Sequence, residues 1–270
     1  MALLSFISHY NQNAYFNMAF DEWLFEQVLK NRDQIYLRLY SWSDRGGITF
    51  GVNQQLAKAV DLDRADGIPI IRRITGGRAI YHDPSELTYS VALNSRQLSE
   101  KEDLSLSESS QKIAQMLVLF LDKAGIESHY VRKSSPENAR PDFFHRQPCF
   151  ESFAKYELAS AGRKVIASAQ RRFEGCLLQH GSIKLNPPVY HPALYDGNVN
   201  DKTSKALLPL EESRFNYYRD CLKEAAREFF KAELVAFKFT GSDQMSISAM
   251  EKNVKKNALA KREIIKHKSA

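Results

Sequence analysis

The sequence predicts an α+β protein, and three observations carry that expectation. Strand-like apolar runs and amphipathic helical segments are mixed along the chain without the strict βα alternation of a doubly wound sheet. No run of eighteen apolar residues occurs, so no membrane-spanning helix is expected. At 270 residues and 43% hydrophobic, the chain can bury one large core or two modest ones.

The elements follow in order. Met1 to Tyr10 reads as a first strand; it lacks a basic n-region and a long apolar h-region, which gives the expectation of a cytoplasmic protein. Asn17 to Leu29 carries apolar residues at helical spacing, with Asn17 as the expected N-cap. Ile35 to Tyr40 alternates like a strand, and Ile48 to Gly51 follows a Gly46-Gly47 turn. Ile68 to Ile71 is a short buried strand, Gly76-Gly77 a turn, and Ala79-Ile80-Tyr81 and Glu86 to Leu93 resume strand patterns. Glu108 to Ala124 is an amphipathic helix with Ser107 as expected cap and Gly125 as its stop. Lys133 to Gln147 is polar and irregular, with Pro136 and Pro141, and reads as a loop leading towards a site. Lys164 to Gln170 and Cys176 to Leu185 are strands joined at Glu174-Gly175; a helix from about Glu211 to Lys231 and a strand from Leu234 to Phe239 complete the pattern. Residues 1–245 are expected to form the catalytic domain and 246–270 a basic helix or tail.

Composition narrows the function. The three cysteines, Cys149, Cys176 and Cys221, are odd in number and widely spaced, which argues against a disulfide framework. No CxxC or His-rich spacing suggests a metal site. Cys176, in an apolar strand, and Cys221, in a helix, read as core. The net charge of +6 is uneven, since residues 252–268 hold seven Lys/Arg against one Glu. That run is either a solvated tail or a surface that draws an acidic partner. It has no nucleic-acid motif and no interleaved aromatics, so neither nucleic acid nor membrane is an expected partner.

The densest chemistry lies in Arg72 to Asp83, where a strand, a glycine pair and several charged groups fall within twelve residues. Glycine lets a backbone turn or approach a ligand closely. Alone, the segment reads more readily as a hairpin with Arg73 and Arg78 on a solvated face. A second cluster follows: Cys149-Phe150-Glu151-Ser152, then Gly162-Arg163-Lys164 through Ser168, then Gln179-His180-Gly181-Ser182.

Taken in order with Asn17-Met18-Ala19-Phe20-Asp21-Glu22, these motifs resemble the lipoate–protein ligase, octanoyltransferase and biotin–protein ligase superfamily over most of residues 10–200. The resemblance implies a mixed sheet flanked by helices, with the acyl group beside the glycine-rich turn. Within the superfamily the chain looks like the cysteine-acyl octanoyltransferase type. Cys149-Phe150-Glu151-Ser152 is similar to that type's nucleophile motif, and a thiolate can accept an acyl group from one thioester and hold it as another. Arg78 stands where ATP-using ligases often have a third glycine, and Glu86 to Val91 resembles the transferase segment.

Lys164 matches the family's active-site lysine, which can stabilise a thiolate and an oxyanion and relay a proton. Arg73, Gly76, Gly77 and Arg78 are implied to bind the thioester region of the donor, the two arginines also meeting a phosphopantetheine phosphate. His82 and His180 are implied to shape the pocket or orient a carbonyl, with Ser168 and Gly181 beside them. The implied partners are octanoyl-acyl carrier protein as donor and a lipoyl domain or glycine-cleavage H-type protein as acceptor. No cofactor is expected. An ATP- and magnesium-dependent lipoate ligase is the alternative, and an amidotransferase between proteins a variant of it.

Overall fold

The computed structural model describes residues 3–43, 45–65, 67–99, 104–131, 157–187, 189–194 and 208–268, the side chains as far as residue 259. Among the described residues, eight strands form one mixed sheet and three form a second. The large sheet contains β1 (Leu3–Gln12), β2 (Gln34–Trp42), β6 (Leu87–Asn94), β7 (His129–Tyr130), β8 (Leu158–Ser160), β9 (Arg163–Phe173), β10 (Cys176–Ile183) and β11 (Glu233–Val235). Its order is β11-β1-β2-β6-β10-β9-β8-β7. β1 runs parallel to β2 and β11, and the remaining neighbours pair antiparallel. β3 (Gly47–Phe50) pairs with β4 (Ile70–Arg72) and β5 (Ile80–His82) in the small sheet. The α+β expectation and the mixed sheet flanked by helices both hold.

Every residue of β2 is buried, because helices cover both faces of the large sheet. Leu4, Ile35, Leu37, Leu39 and Val91 pack against α3 (Leu106–Lys123) and α4 (Glu212–Phe230) through Ile113, Phe120, Phe215 and Leu222. On the other face Ile7, Tyr36, Ala92 and Leu178 meet Phe20, Trp23, Leu24 and Val28 of α1 (Ala14–Lys30). Burying a Leu- or Phe-sized side chain stabilises by roughly 1.5–3 kcal/mol, so these two layers hold the sheet rigid beneath the site. A short helix α2 (Leu56–Ala59) belongs to a third cluster around Ile48, Phe50 and Ile70 of the small sheet.

Helix α5 (Gly241–Lys268) contains the basic segment 246–270 up to Lys268. Ile247 and Met250 lie on the Trp23 cluster, while Val254 and Ala258 lie against Ala14, Met18, Trp42 and Ile71. No described helix is long and apolar enough to cross a membrane.

Several element ends differ from expectation for local reasons. The cap of α1 is Asn13, whose side chain accepts from the Phe16 amide at 2.9 Å, and Asn17 lies a turn inside. Ala14, in one cluster with Met18, extends the apolar stripe one turn earlier than the Asn17 reading allows. Likewise α3 is capped by Ser105 rather than Ser107, because Ser105 and Glu108 form a reciprocal capping box. Gly125 ends α3 with φ 72°, as expected. The last strand stops at Val235, since Phe237 and Phe239 turn away to pack on Trp23. The loop read at Lys133 to Gln147 lies outside the described residues.

Candidate active site

Strand register builds the floor of the site. Tyr40, Thr88, Ser182 and Ala167 form one cross-strand row on β2, β6, β10 and β9. Arg38, Ser90, His180 and Ala169 form another, two residues along each strand and therefore on the same face. Over this floor lie Met18 from α1, Thr49 from β3, the Arg73–Arg78 turn, and Ile80 and His82 from β5, enclosing a cavity of about 50 Å³. Arg73, Gly77, Arg78, His82, Ser168, His180 and Gly181 all line it, so seven positions singled out in the sequence converge on one place.

Two glycines make this approach possible. Gly77 has φ +87°, a conformation that L side chains rarely adopt, and a Cβ there would lie 2.9 Å from Arg73 Nη2. At Gly181 the restriction is space: a Cβ would meet Ser168 Oγ and Tyr89 Cε1 at 2.6 Å and the Ala167 carbonyl at 2.9 Å. Gly76 does not share the left-handed conformation and has open space around it; its contribution is a carbonyl that accepts from Arg73.

Arg73 is buried, not on a solvated hairpin face. Nη2 donates to the carbonyls of Gly76 at 2.5 Å and Arg78 at 2.9 Å, which pins both sides of Gly77. Nε donates to Thr75 Oγ1 at 3.1 Å and Nη1 to Thr49 Oγ1 at 3.3 Å. These bonds turn the Arg73 guanidinium towards the glycine turn, and the half-buried Arg78 lines the same cavity.

Both histidines are clamped. His180 Nδ1 lies 2.9 Å from Asp21 Oδ2 and its Nε2 2.7 Å from Thr75 Oγ1. Asp21 is 1% exposed and also accepts from Arg38, Tyr40 and Ser90 at 2.8–2.9 Å. Burial pushes its carboxyl up, but the His180 hydrogen bond and the Arg38 charge outweigh this and hold it below the usual carboxylate range. His82 Nδ1 lies 2.7 Å from Glu86 Oε1 and its Nε2 2.8 Å from Thr49 Oγ1, while the ring stacks on Trp42 at 4.0 Å. Burial lowers the His82 pKa, against the opposing pull of Glu86.

Behind His82 sits Lys184, 2.6 Å from Asp83 and 2.9 Å from Glu86. Burial opposes the charged Glu86, but Lys184 and then His82 carry it down to about 2. Lys184 itself is raised: Glu86 and Asp83 overcome the desolvation that works against its charge.

The two residues expected to be catalytic are Cys149 and Lys164. Cys149 lies outside the described residues. Lys164, on β9, is buried, with its ammonium 2.7 Å from Glu157, and is not among the residues lining the cavity. Cys176 and Cys221 are buried, as read from their apolar surroundings. Asp21, Arg38, Thr49, Thr75, Glu86 and Lys184 escaped the sequence reading. Asp21, Thr75 and Glu86 lie inside the quoted motifs, but nothing local marked the others.

A family model of the lipoyl protein ligase A/B catalytic domain matches residues 13–236. An octanoyltransferase LipM of Staphylococcus aureus is 30% identical over 258 residues, which cover 93% of this chain and 84% of the relative. One from Clostridioides difficile is 39% identical over 175 residues, 63% of this chain and 61% of the relative. Among solved structures, lipoate-protein ligase A bound with ATP superposes at a TM-score of 0.70 and 17% identity, over 93% of this chain and 95% of that one. A bipartite lipoate protein ligase from Thermoplasma acidophilum, with its E2 lipoyl domain, gives 0.66 at 17% identity over 93% and 92%. At such identity the structures establish a shared fold.

Proposed function

The chain belongs to the lipoyl protein ligase A/B catalytic domain family, and we propose that it is an octanoyltransferase of lipoate assembly. The observation that carries this reading is the cavity at the Gly77 turn, with an apolar side from Met18, Ile80, Ala167 and Ala169, in a chain whose relatives are named octanoyltransferases. An acyl chain lies along the apolar side, and its carbonyl faces the turn that Arg73 holds.

The donor is octanoyl-acyl carrier protein and the acceptor is a lysine of a lipoyl domain or H-type protein. The Cys149 thiolate attacks the thioester carbonyl carbon; the carbon–sulfur bond to the carrier breaks, and the carrier leaves as a thiolate that takes a proton from water. The neutral amine of the acceptor lysine then attacks the acyl-cysteine. An amide forms, Cys149 regains its thiolate, and the amine proton is relayed away through Lys164. The oxyanion of each step is stabilised by the Lys164 charge. No ATP is consumed, because the donor is already a thioester.

The test is transfer from octanoyl-carrier protein to a purified lipoyl domain without nucleotide. Octanoylated acceptor is expected. Acceptor modification that needs free lipoate or octanoate with ATP and magnesium would instead make the protein a ligase.

A further inference from the structure

The two clamped histidines are the same device built twice. We propose that Asp21–His180–Thr75 and Glu86–His82–Thr49 are one-way hydrogen-bond chains sharing Arg73 as donor. Their six residues are then positioning residues that fix the glycine turn, and neither histidine is a base.

The direction of each bond follows from the chemistry of the groups. A guanidinium only donates, so both threonine oxygens accept from Arg73. A carboxylate only accepts, so the hydrogen of each imidazole sits on Nδ1, towards Asp21 or Glu86. In the neutral ring each Nε2 then carries a lone pair, which the threonine hydroxyl hydrogen fills. The carboxylates are anchored in turn, Asp21 by Arg38 and Glu86 by Lys184. A histidine in such a chain cannot take a proton from an incoming amine without breaking the bond to its threonine.

What the chains secure is the guanidinium itself. Its Nε and Nη1 edges are set by Thr75 and Thr49, and its Nη2 then meets the Gly76 and Arg78 carbonyls on either side of Gly77. The chains reach α1 at Asp21 and the residue just before β6, Glu86, so elements on two sides of the cavity hold one side chain. This inference rests on reading the cavity as the acyl site.

The experiment has one arm that needs no activity. Long-range proton–nitrogen spectra of histidine-labelled protein at neutral pH are expected to show His82 and His180 both neutral with the hydrogen on Nδ1, each assigned by its loss in His82→Gln or His180→Gln. A hydrogen on Nε2, or an imidazolium, at either ring would overturn the proposal. In the activity arm, Thr49→Val and Thr75→Val each lower kcat/KM for octanoyl transfer by about tenfold to a hundredfold, and Thr→Ser restores it to within about threefold. The double valine variant loses less than the product of the single losses, because both act on Arg73. Fully multiplicative losses, or no rescue by serine, contradict the shared anchor. A wild-type protein that transfers no octanoyl group would refute the proposed function, while the spectra would still decide the hydrogen positions.

Discussion

Replacing Gly181 by alanine tests how tightly the sheet is fitted beneath the cavity. The added Cβ would sit 2.6 Å from Ser168 Oγ, 2.6 Å from Tyr89 Cε1 and 2.9 Å from the Ala167 carbonyl. Ser168 can rotate aside, at the loss of its 2.8 Å bond to the Tyr89 hydroxyl, a loss of about 1 kcal/mol. The other two neighbours cannot move cheaply. Tyr89 is wholly buried and held by Gln179, and the Ala167 carbonyl belongs to the part of β9, residues 166–173, that pairs with β10. Overpacking of this kind costs about 1–3 kcal/mol, partly offset by the lower entropy of unfolded alanine, about 0.4–1 kcal/mol. A net loss of about 1–3 kcal/mol is expected from urea unfolding, with an unchanged m-value, and transfer activity falls because both Ser168 and Gly181 line the cavity. A stability change below about 0.5 kcal/mol with full activity would refute the steric argument, since that is the range of an ordinary surface substitution.

Three further outcomes follow from the same geometry. Lys184→Met leaves Glu86 and Asp83 facing each other without their cation, and chemical denaturation is expected to show a loss of about 3–5 kcal/mol. Glu86 has a folded pKa depressed from 4.5 to about 2, so its contribution is present above pH 4.5 and is lost as pH falls towards 2. Glu86→Gln should flatten that part of the stability–pH curve, measured by urea unfolding across the acid range. On α5, Lys252, Lys255 and Lys256 are exposed. If they steer an acidic carrier, Lys255→Ala/Lys256→Ala lowers kcat/KM at low salt, and the difference vanishes near 1 M salt, where the screening length is about 3 Å. Equal rates at low salt would exclude steering by this helix.

Much of the site was legible because its residues are contiguous. Arg73 to His82 and Gln179 to Ser182 each carry glycine, charge and strand pattern within a few positions, and both segments line the same cavity. What periodicity could not reveal is which polar residues of distant strands share a row. Arg38 looks like the solvent face of an alternating strand, yet it is wholly buried because α1 covers that face and Asp21 neutralises it. Lys184 looks like the polar end of a strand, but the sheet register carries it to Asp83 and Glu86, about a hundred residues away in sequence. Helix starts were missed by one turn or less for a different reason. Asn13 and Asn17, or Ser105 and Ser107, are chemically equal caps, and only packing of Ala14 or the partner Glu108 chooses between them. The chemistry expected of Cys149 was legible only through its motif, since that residue lies outside the described residues.

The central claim is that an acyl group rests on Cys149 between donor and acceptor. Intact mass spectrometry after mixing the protein with octanoyl-carrier protein, without acceptor, measures this directly. The account predicts a gain of one octanoyl group, removable by hydroxylamine at neutral pH, absent in Cys149→Ala, and discharged when the acceptor domain is added. No adduct on the wild-type protein, or an adduct that survives Cys149→Ala, would contradict it.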